Sequence, residues 1–121
     1  MANIIIAEDE AIVAMENRLI LTGLGHNVIA VVATAEDTLL AFEKEVPDLM
    51  LMDIKLKGSM DGIAAIKQIR KKSQIPVIFL TGSSDPKTRA QVNIIPNVSF
   101  LLKPVSKKEL SMEVLKLLSG K

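Results

Sequence analysis

The sequence predicts an α/β domain in which helices cover both faces of a parallel sheet, and three observations predict it. The run Leu49-Met50-Leu51-Met52-Asp53 holds four consecutive large hydrophobes, so it offers no polar face every second residue and reads as a strand buried on both sides. Short apolar runs of this kind alternate with segments whose apolar residues recur at helical spacing. Between them lie only turn-forming residues, without a linker, repeat or low-complexity stretch. Such alternation means right-handed βαβ units and a doubly wound sheet.

Each element has its own local reason. Asn3–Ala7 is a short buried strand ending at Glu8-Asp9-Glu10, acids that suit the first turn of a helix over Ala11–Leu24. Ile12, Met15 and Leu19 recur along that helix, and Gly23 and Gly25 stop it. Asn27–Ala33 is the second strand. Thr34 caps the next helix with Asp37 three residues on, and Leu39, Phe42 and Val46 mark its inward face. After the central strand, a helix over Gly62–Lys71 turns Ile63, Ile66 and Ile69 inward. Pro76–Leu80 is the fourth strand, with proline at its permitted first position, followed by the turn Thr81-Gly82-Ser83-Ser84. Asp85–Asn93 is a short helix with Pro86 near its start. Ser99–Leu102 is the fifth strand, ending at Lys103-Pro104. Ser106 and Glu109 form a capping box, and Leu110, Val114, Leu117 and Leu118 stripe the last helix. Met15, Met50, Met52 and Met112 read as core filler.

Size and composition bound the function. The 121 residues suit one domain, 1–121, able to bury roughly two-thirds of its unfolded surface. The absence of cysteine excludes disulfides and thiol chemistry, and the single histidine, His26, leaves no His pair for zinc and no Ser-His triad. A net charge of +1 and the lack of Tyr and Trp argue against a nucleic-acid surface. Arg70-Lys71-Lys72 and Lys107-Lys108 read as solvated cations near helix ends. The start of the chain carries no basic leader, and Leu19–Ala35 is interrupted by glycines, His26 and Asn27, so the expectation is a cytoplasmic protein without a membrane span.

The strand ends carry the chemistry. Glu8 and Asp9 follow the first strand, Asp53 closes the third, Thr81 follows the fourth and Lys103 the fifth. In a flavodoxin-like strand order, 2-1-3-4-5, these side chains converge on one edge at the switch point between strands one and three. Three neighbouring carboxylates repel unless a proton or cation intervenes. An oxygen-only cluster suits Mg2+, which would leave Asp53 ionised and able to attack phosphorus. A lysine ammonium and a threonine hydroxyl at the same spot suit a phosphoryl group, and Gly82 leaves the backbone approachable. Singly, each residue has an ordinary reading: a turn Asp or Thr-Gly, a surface lysine, acids at a helix start. Coincidence at four strand ends does not.

The pattern Glu8-Asp9, Asp53, Thr81, Lys103-Pro104 resembles the response-regulator receiver domain of two-component signalling over essentially the whole chain. The resemblance implies Asp53 as phosphoacceptor, and a Mg2+ site formed by Glu8, Asp9, Asp53 and the backbone carbonyl of Lys55. It implies that Thr81 and Lys103 contact the phosphoryl group and that the Lys103-Pro104 peptide is cis. It also makes Thr81 and Phe100 the switch pair: Thr81 would move toward the phosphate and Phe100 inward. Where many relatives have Tyr, Phe100 has no hydroxyl, so switching would act by packing; its alternative is a half-buried strand aromatic. Two departures stand out. Glu8 replaces the more usual Asp, its longer arm expected to reach the metal through water. Ile94-Ile95-Pro96-Asn97 lacks the small residues common there, and its isoleucines are either core or an apolar patch, with core favoured.

The expectation is therefore a stand-alone receiver. It takes a phosphoryl group from the phosphohistidine of a sensor histidine kinase, hydrolyses it slowly, and is otherwise no enzyme. A downstream protein target would dock on the fourth helix, fifth strand and fifth helix; a homodimer is a further assembly the resemblance allows. The rivals are weaker. An aspartate-nucleophile phosphatase wants an acid where Lys55 stands. A nucleotide or flavin binder needs an anion cradle where Glu8-Asp9-Glu10 would repel phosphate. A receiver that only docks partners would not need every phosphotransfer position filled.

Overall fold

The computed structural model describes residues 1–82 and 85–119. Ser83 and Ser84 of the turn expected after the fourth strand, and Gly120 and Lys121 at the end of the expected domain, lie outside the described residues. Five strands, β1 (Asn3–Ala7), β2 (Asn27–Val32), β3 (Leu49–Asp53), β4 (Val77–Thr81) and β5 (Val98–Leu102), alternate with five helices. These are α1 (Ala11–Gly23), α2 (Ala35–Lys44), α3 (Gly62–Ile69), α4 (Pro86–Asn93) and α5 (Lys107–Ser119). The sheet is parallel throughout, in the order β2-β1-β3-β4-β5, as the sequence predicts.

β3 and β4 are buried at every residue, whereas the edge strands β2 and β5 are mostly half-buried, although Val28–Val32 of β2 is also an unbroken apolar run. One core, around Ile5, Met50, Phe79, Ile63 and Ile66, lies on one face of the sheet. The other, around Ile4, Ile6, Leu51, Ile78, Leu110 and Val114, lies on the opposite face. Alternate residues of a strand point to opposite faces, so each central strand feeds both cores.

Local chemistry sets the helix ends. The Thr34 hydroxyl accepts a bond from the Asp37 N–H at 3.0 Å, and the Asp61 carboxylate caps α3 through Ala64 N–H at 2.9 Å. Ser106 and Glu109 exchange the two bonds of a capping box. At the end of α1, Gly25 takes φ +93° while Gly25 and His26 N–H donate to the carbonyls of Thr22 and Leu21. Gly25, rather than Gly23, is the residue that ends the helix.

Several sequence expectations are corrected. Met15, expected as core filler, is 63% exposed along with its helical neighbours Ile12 and Leu19 (74 and 66%), and α1 buries Ala14, Asn17 and Leu21. The apolar period is genuine but marks the outer face. Val46 is exposed because α2 stops at Lys44, and of the methionines Met50 and Met52 are core while Met15 and Met112 are not. Of the isoleucine pair, Ile95 is buried and Ile94 is exposed. Arg70 is no solvated cation: its guanidinium donates to the carbonyls of Pro96, Asn97 and Ser73 at 2.9, 3.0 and 3.2 Å, tying the end of α3 to the loop before β5. Lys72 pairs with Glu43.

Candidate functional site

The sheet register assembles the site. Ala7 pairs with Met52, so Glu8, the next residue, stands beside Asp53 at the end of β3. Asp53 pairs with Leu80 and Thr81 with Leu102, so each successive strand end steps one residue further, to Thr81 and then Lys103. The ladder continues past the strand ends: Glu8 N–H donates to Val32 O at 2.9 Å, Ile54 N–H to Leu80 O at 3.1 Å and Lys103 N–H to Thr81 O at 2.7 Å. Those bonds fix the backbone from which the functional side chains project.

Lys103 is the hub. Its Nζ lies 3.0 Å from Asp53 Oδ2, 2.9 Å from Glu8 Oε1 and 3.7 Å from Glu10 Oε1. Asp53 Oδ1 accepts from the Lys55 N–H at 3.2 Å, so both oxygens of Asp53 are held. Glu8, Asp53 and Thr81 are all buried, each at most 5% exposed. Burial works against the Lys103 ammonium, but its bonds and charge interactions with Glu8 and Asp53 outweigh this, and its pKa lies above the ordinary lysine value. Burial pushes the Glu8 carboxyl up to about 7; the Lys103 ammonium against it opposes the rise and the Asp53 charge adds to it.

The donor set fits a hard divalent cation. Ligand oxygens of Glu8, Asp9 and Glu10 lie within 4.8 Å of one another. Among the described residues Glu8 Oε1 is buried with the Lys103 ammonium, 2.9 Å away, as its close cation and no other partner. Every side-chain donor is oxygen, the ligand type Mg2+ prefers. The closest trio contains Glu10, which the sequence reading did not single out, in place of Asp53, which is held by Lys103 instead.

The remaining predicted residues fall into two groups. The Lys103–Pro104 peptide bond is cis, beside the site. Phe100 sits away from it, half-buried on β5 opposite Phe79, with the Arg89 guanidinium 4.6 Å from its ring centroid. Gly62 is a second residue, after Glu10, that sequence reasoning missed. A Cβ there would meet Asp53 O at 2.4 Å, so only glycine lets α3 start against the end of β3. The Asp61-Gly62 pair was its visible signal. At Gly82 a Cβ would meet nothing within 4 Å among the described residues.

Comparisons with known proteins agree with this geometry. The family model described as the response regulator receiver domain matches residues 4–115. The chain is 40% identical over 79 residues to the phyllosphere-induced regulator PhyR of Methylorubrum extorquens, covering 64% of this chain and 30% of that protein. It is 32% identical over 111 residues to the probable transcriptional regulator ycf27 of Pyropia yezoensis, covering 92% of this chain and 45% of that one. The chain thus spans less than half the length of these relatives. Among solved structures, it superposes with TM-score 0.90 and 27% identity on the signal receiver domain of a modulated diguanylate cyclase from Desulfovibrio desulfuricans, covering 99% of this chain and 95% of that one. With the REC domain of the PhyR response regulator from Erythrobacter litoralis the TM-score is 0.85 at 28% identity, covering 97% and 89% of the two chains. Matched over nearly its whole length, and with the acids, Asp53, Thr81 and Lys103 at its strand ends, the chain belongs to the response regulator receiver family.

Proposed function

We propose that the chain accepts a phosphoryl group on Asp53 from the phosphohistidine of a sensor histidine kinase. The observation that carries this is the meeting of Asp53, Glu8 and Lys103, from three different strands, around one ammonium at one edge of the sheet. A carboxylate oxygen of Asp53 attacks phosphorus; the bond from phosphorus to the histidine nitrogen breaks, and that nitrogen takes up a proton. The product is an acyl phosphate, which water later hydrolyses back to the carboxylate and inorganic phosphate.

Lys103, which balances Asp53 and Glu8 at rest, is the cation for a phosphoryl oxygen once Asp53 is phosphorylated. The Lys55 amide holds Asp53 Oδ1 and so fixes the direction of approach. Thr81 presents its hydroxyl from the end of β4. Glu8, Asp9 and Asp53, with the Lys55 carbonyl, would hold Mg2+. Bound there, the ion would offset the repulsion between the carboxylates and the incoming phosphoryl oxygens. Beyond this self-phosphorylation and slow self-hydrolysis the reading includes no enzymatic turnover.

The output is a change in the surface made by α4, β5 and α5, which carries Phe100 and would meet a downstream protein. Among the described residues no helix is long and apolar enough to cross a membrane. The reading places the protein in the cytoplasm, where such kinases present their phosphohistidine. The test is incubation with acetyl phosphate and Mg2+, followed by intact mass measurement. Wild type should gain one phosphoryl group and Asp53→Asn none; no gain in wild type, or an equal gain in the variant, rejects the proposal.

A further inference from the structure

We propose that Arg89 is a latch on Phe100, weighting the resting arrangement of α4 against β5 and thereby setting how readily Asp53 is occupied. The inference rests on the phosphoacceptor reading above and assigns a regulatory residue to it.

α4 is lightly held. Val92 is its one buried residue, and Ile95 just beyond it is the next. Its C-terminal end is fixed further by the Arg70 guanidinium on the carbonyls of Pro96 and Asn97. The N-terminal half, from Pro86 to Ala90, is exposed apart from a half-buried Thr88, and there Arg89 reaches across to the ring on β5. Among the described residues this guanidinium has no ion pair or side-chain hydrogen bond, so its place over Phe100 is not a by-product of a nearby carboxylate.

Phe100 has no hydroxyl through which to hydrogen-bond, so the ring is held by packing and by the cation on its face. It lies on the strand that ends at Lys103, paired with the strand that ends at Thr81. A ring moving deeper, toward Val92, Ile95 and Phe79, must leave the cation behind, because an unpaired guanidinium cannot follow it into an apolar cluster. The contact therefore favours the half-buried ring. For an exposed pair its weight is about two- to fivefold in the equilibrium between the two arrangements.

The test uses 4-fluorophenylalanine. The chain has three phenylalanines, and Phe42 and Phe79 are buried, so three fluorine resonances report three distinct rings. Wild type, Arg89→Lys and Arg89→Met are titrated with beryllofluoride in Mg2+ as a mimic of the phosphoryl group. Arg89→Met should move the Phe100 resonance and leave the other two in place. It should bind the anion about two- to fivefold more tightly, with Arg89→Lys between it and wild type. An unmoved Phe100 resonance in Arg89→Met, or an unchanged or weakened affinity, overturns the latch alone. Failure of wild type to bind the anion overturns the phosphoacceptor reading, and the latch with it.

Discussion

Gly62→Ala probes the junction on which the whole site depends. The added Cβ would lie 2.4 Å from Asp53 O, 2.9 Å from Met52 Cγ and 3.2 Å from Ile54 Cα. Relaxed contacts need roughly 3.5 Å, so about 1 Å of movement must be found. The atom in the way is backbone, and the neighbouring backbone is tied down: Ile54 N–H donates to Leu80 O at 3.1 Å and Gly62 N–H to Ile54 O at 2.8 Å. Overpacking of this kind costs about 1–3 kcal/mol, and the better helix propensity of alanine returns up to about 1. The net expectation is a loss of roughly 1–2 kcal/mol in urea unfolding. The same displacement falls on the carbonyl of the reacting residue, and a 1 Å misplacement costs on the order of a hundredfold in rate. Phosphorylation of the folded variant by acetyl phosphate should slow accordingly. A Gly62→Ala protein as stable as wild type and phosphorylated at the same rate would refute the reasoning.

Three further outcomes follow from the same geometry. Lys103→Met leaves Glu8 and Asp53 as buried carboxylates facing each other, and should cost about 2 kcal/mol at pH 8 with divalent ions chelated. That figure is less than the 3–5 of a fully buried broken pair, because Lys103 is itself 19% exposed on its side chain and Glu8 can take up a proton. The cost should shrink at pH 6: the folded Glu8 pKa of about 7 exceeds its ordinary 4.5, so the folded state binds the extra proton and stability rises as pH falls through that window. An equal loss at both values would contradict it. His26 Nδ1 accepts from Ala2 N–H at 3.1 Å, and burial, then the charge of the N-terminus, lowers its pKa. Its contribution, roughly 1 kcal/mol, is present at neutral pH and declines as pH falls below about 6.5, so wild type should lose its advantage over His26→Gln between pH 7.5 and 5.5. A constant difference would exclude this. Asn17 is 6% exposed with its Nδ2 unpartnered among the described residues, and Asn17→Leu should raise stability by about 1–2 kcal/mol. A lower urea midpoint would show that the amide is satisfied.

What was legible in the sequence divides along physical lines. β3 was plain because a strand covered on both sides needs an unbroken apolar run, and the polar residues after each strand were plain because parallel strands end together. Lys103 could be placed at the site from strand order alone, fifty residues from Asp53. Met15 is not core filler because periodicity locates an apolar face without saying what it faces: Ile12, Met15 and Leu19 form a stripe on the outside. Gly62 was overlooked because a close approach between backbones leaves no mark beyond the glycine itself. The contact of Arg89 with Phe100 and the grip of Arg70 on Pro96 and Asn97 join elements far apart in the chain through side-chain reach, which no local pattern encodes.

The central claim is that Asp53 carries the phosphoryl group. Borohydride reduces an aspartyl phosphate to homoserine, so treatment of the acetyl phosphate-reacted protein followed by peptide mapping reads the position directly. Homoserine at position 53, dependent on Mg2+ and absent from Lys103→Met at matched times, is the predicted result; homoserine at Asp9 or at any other acid, or none at all, would contradict the account.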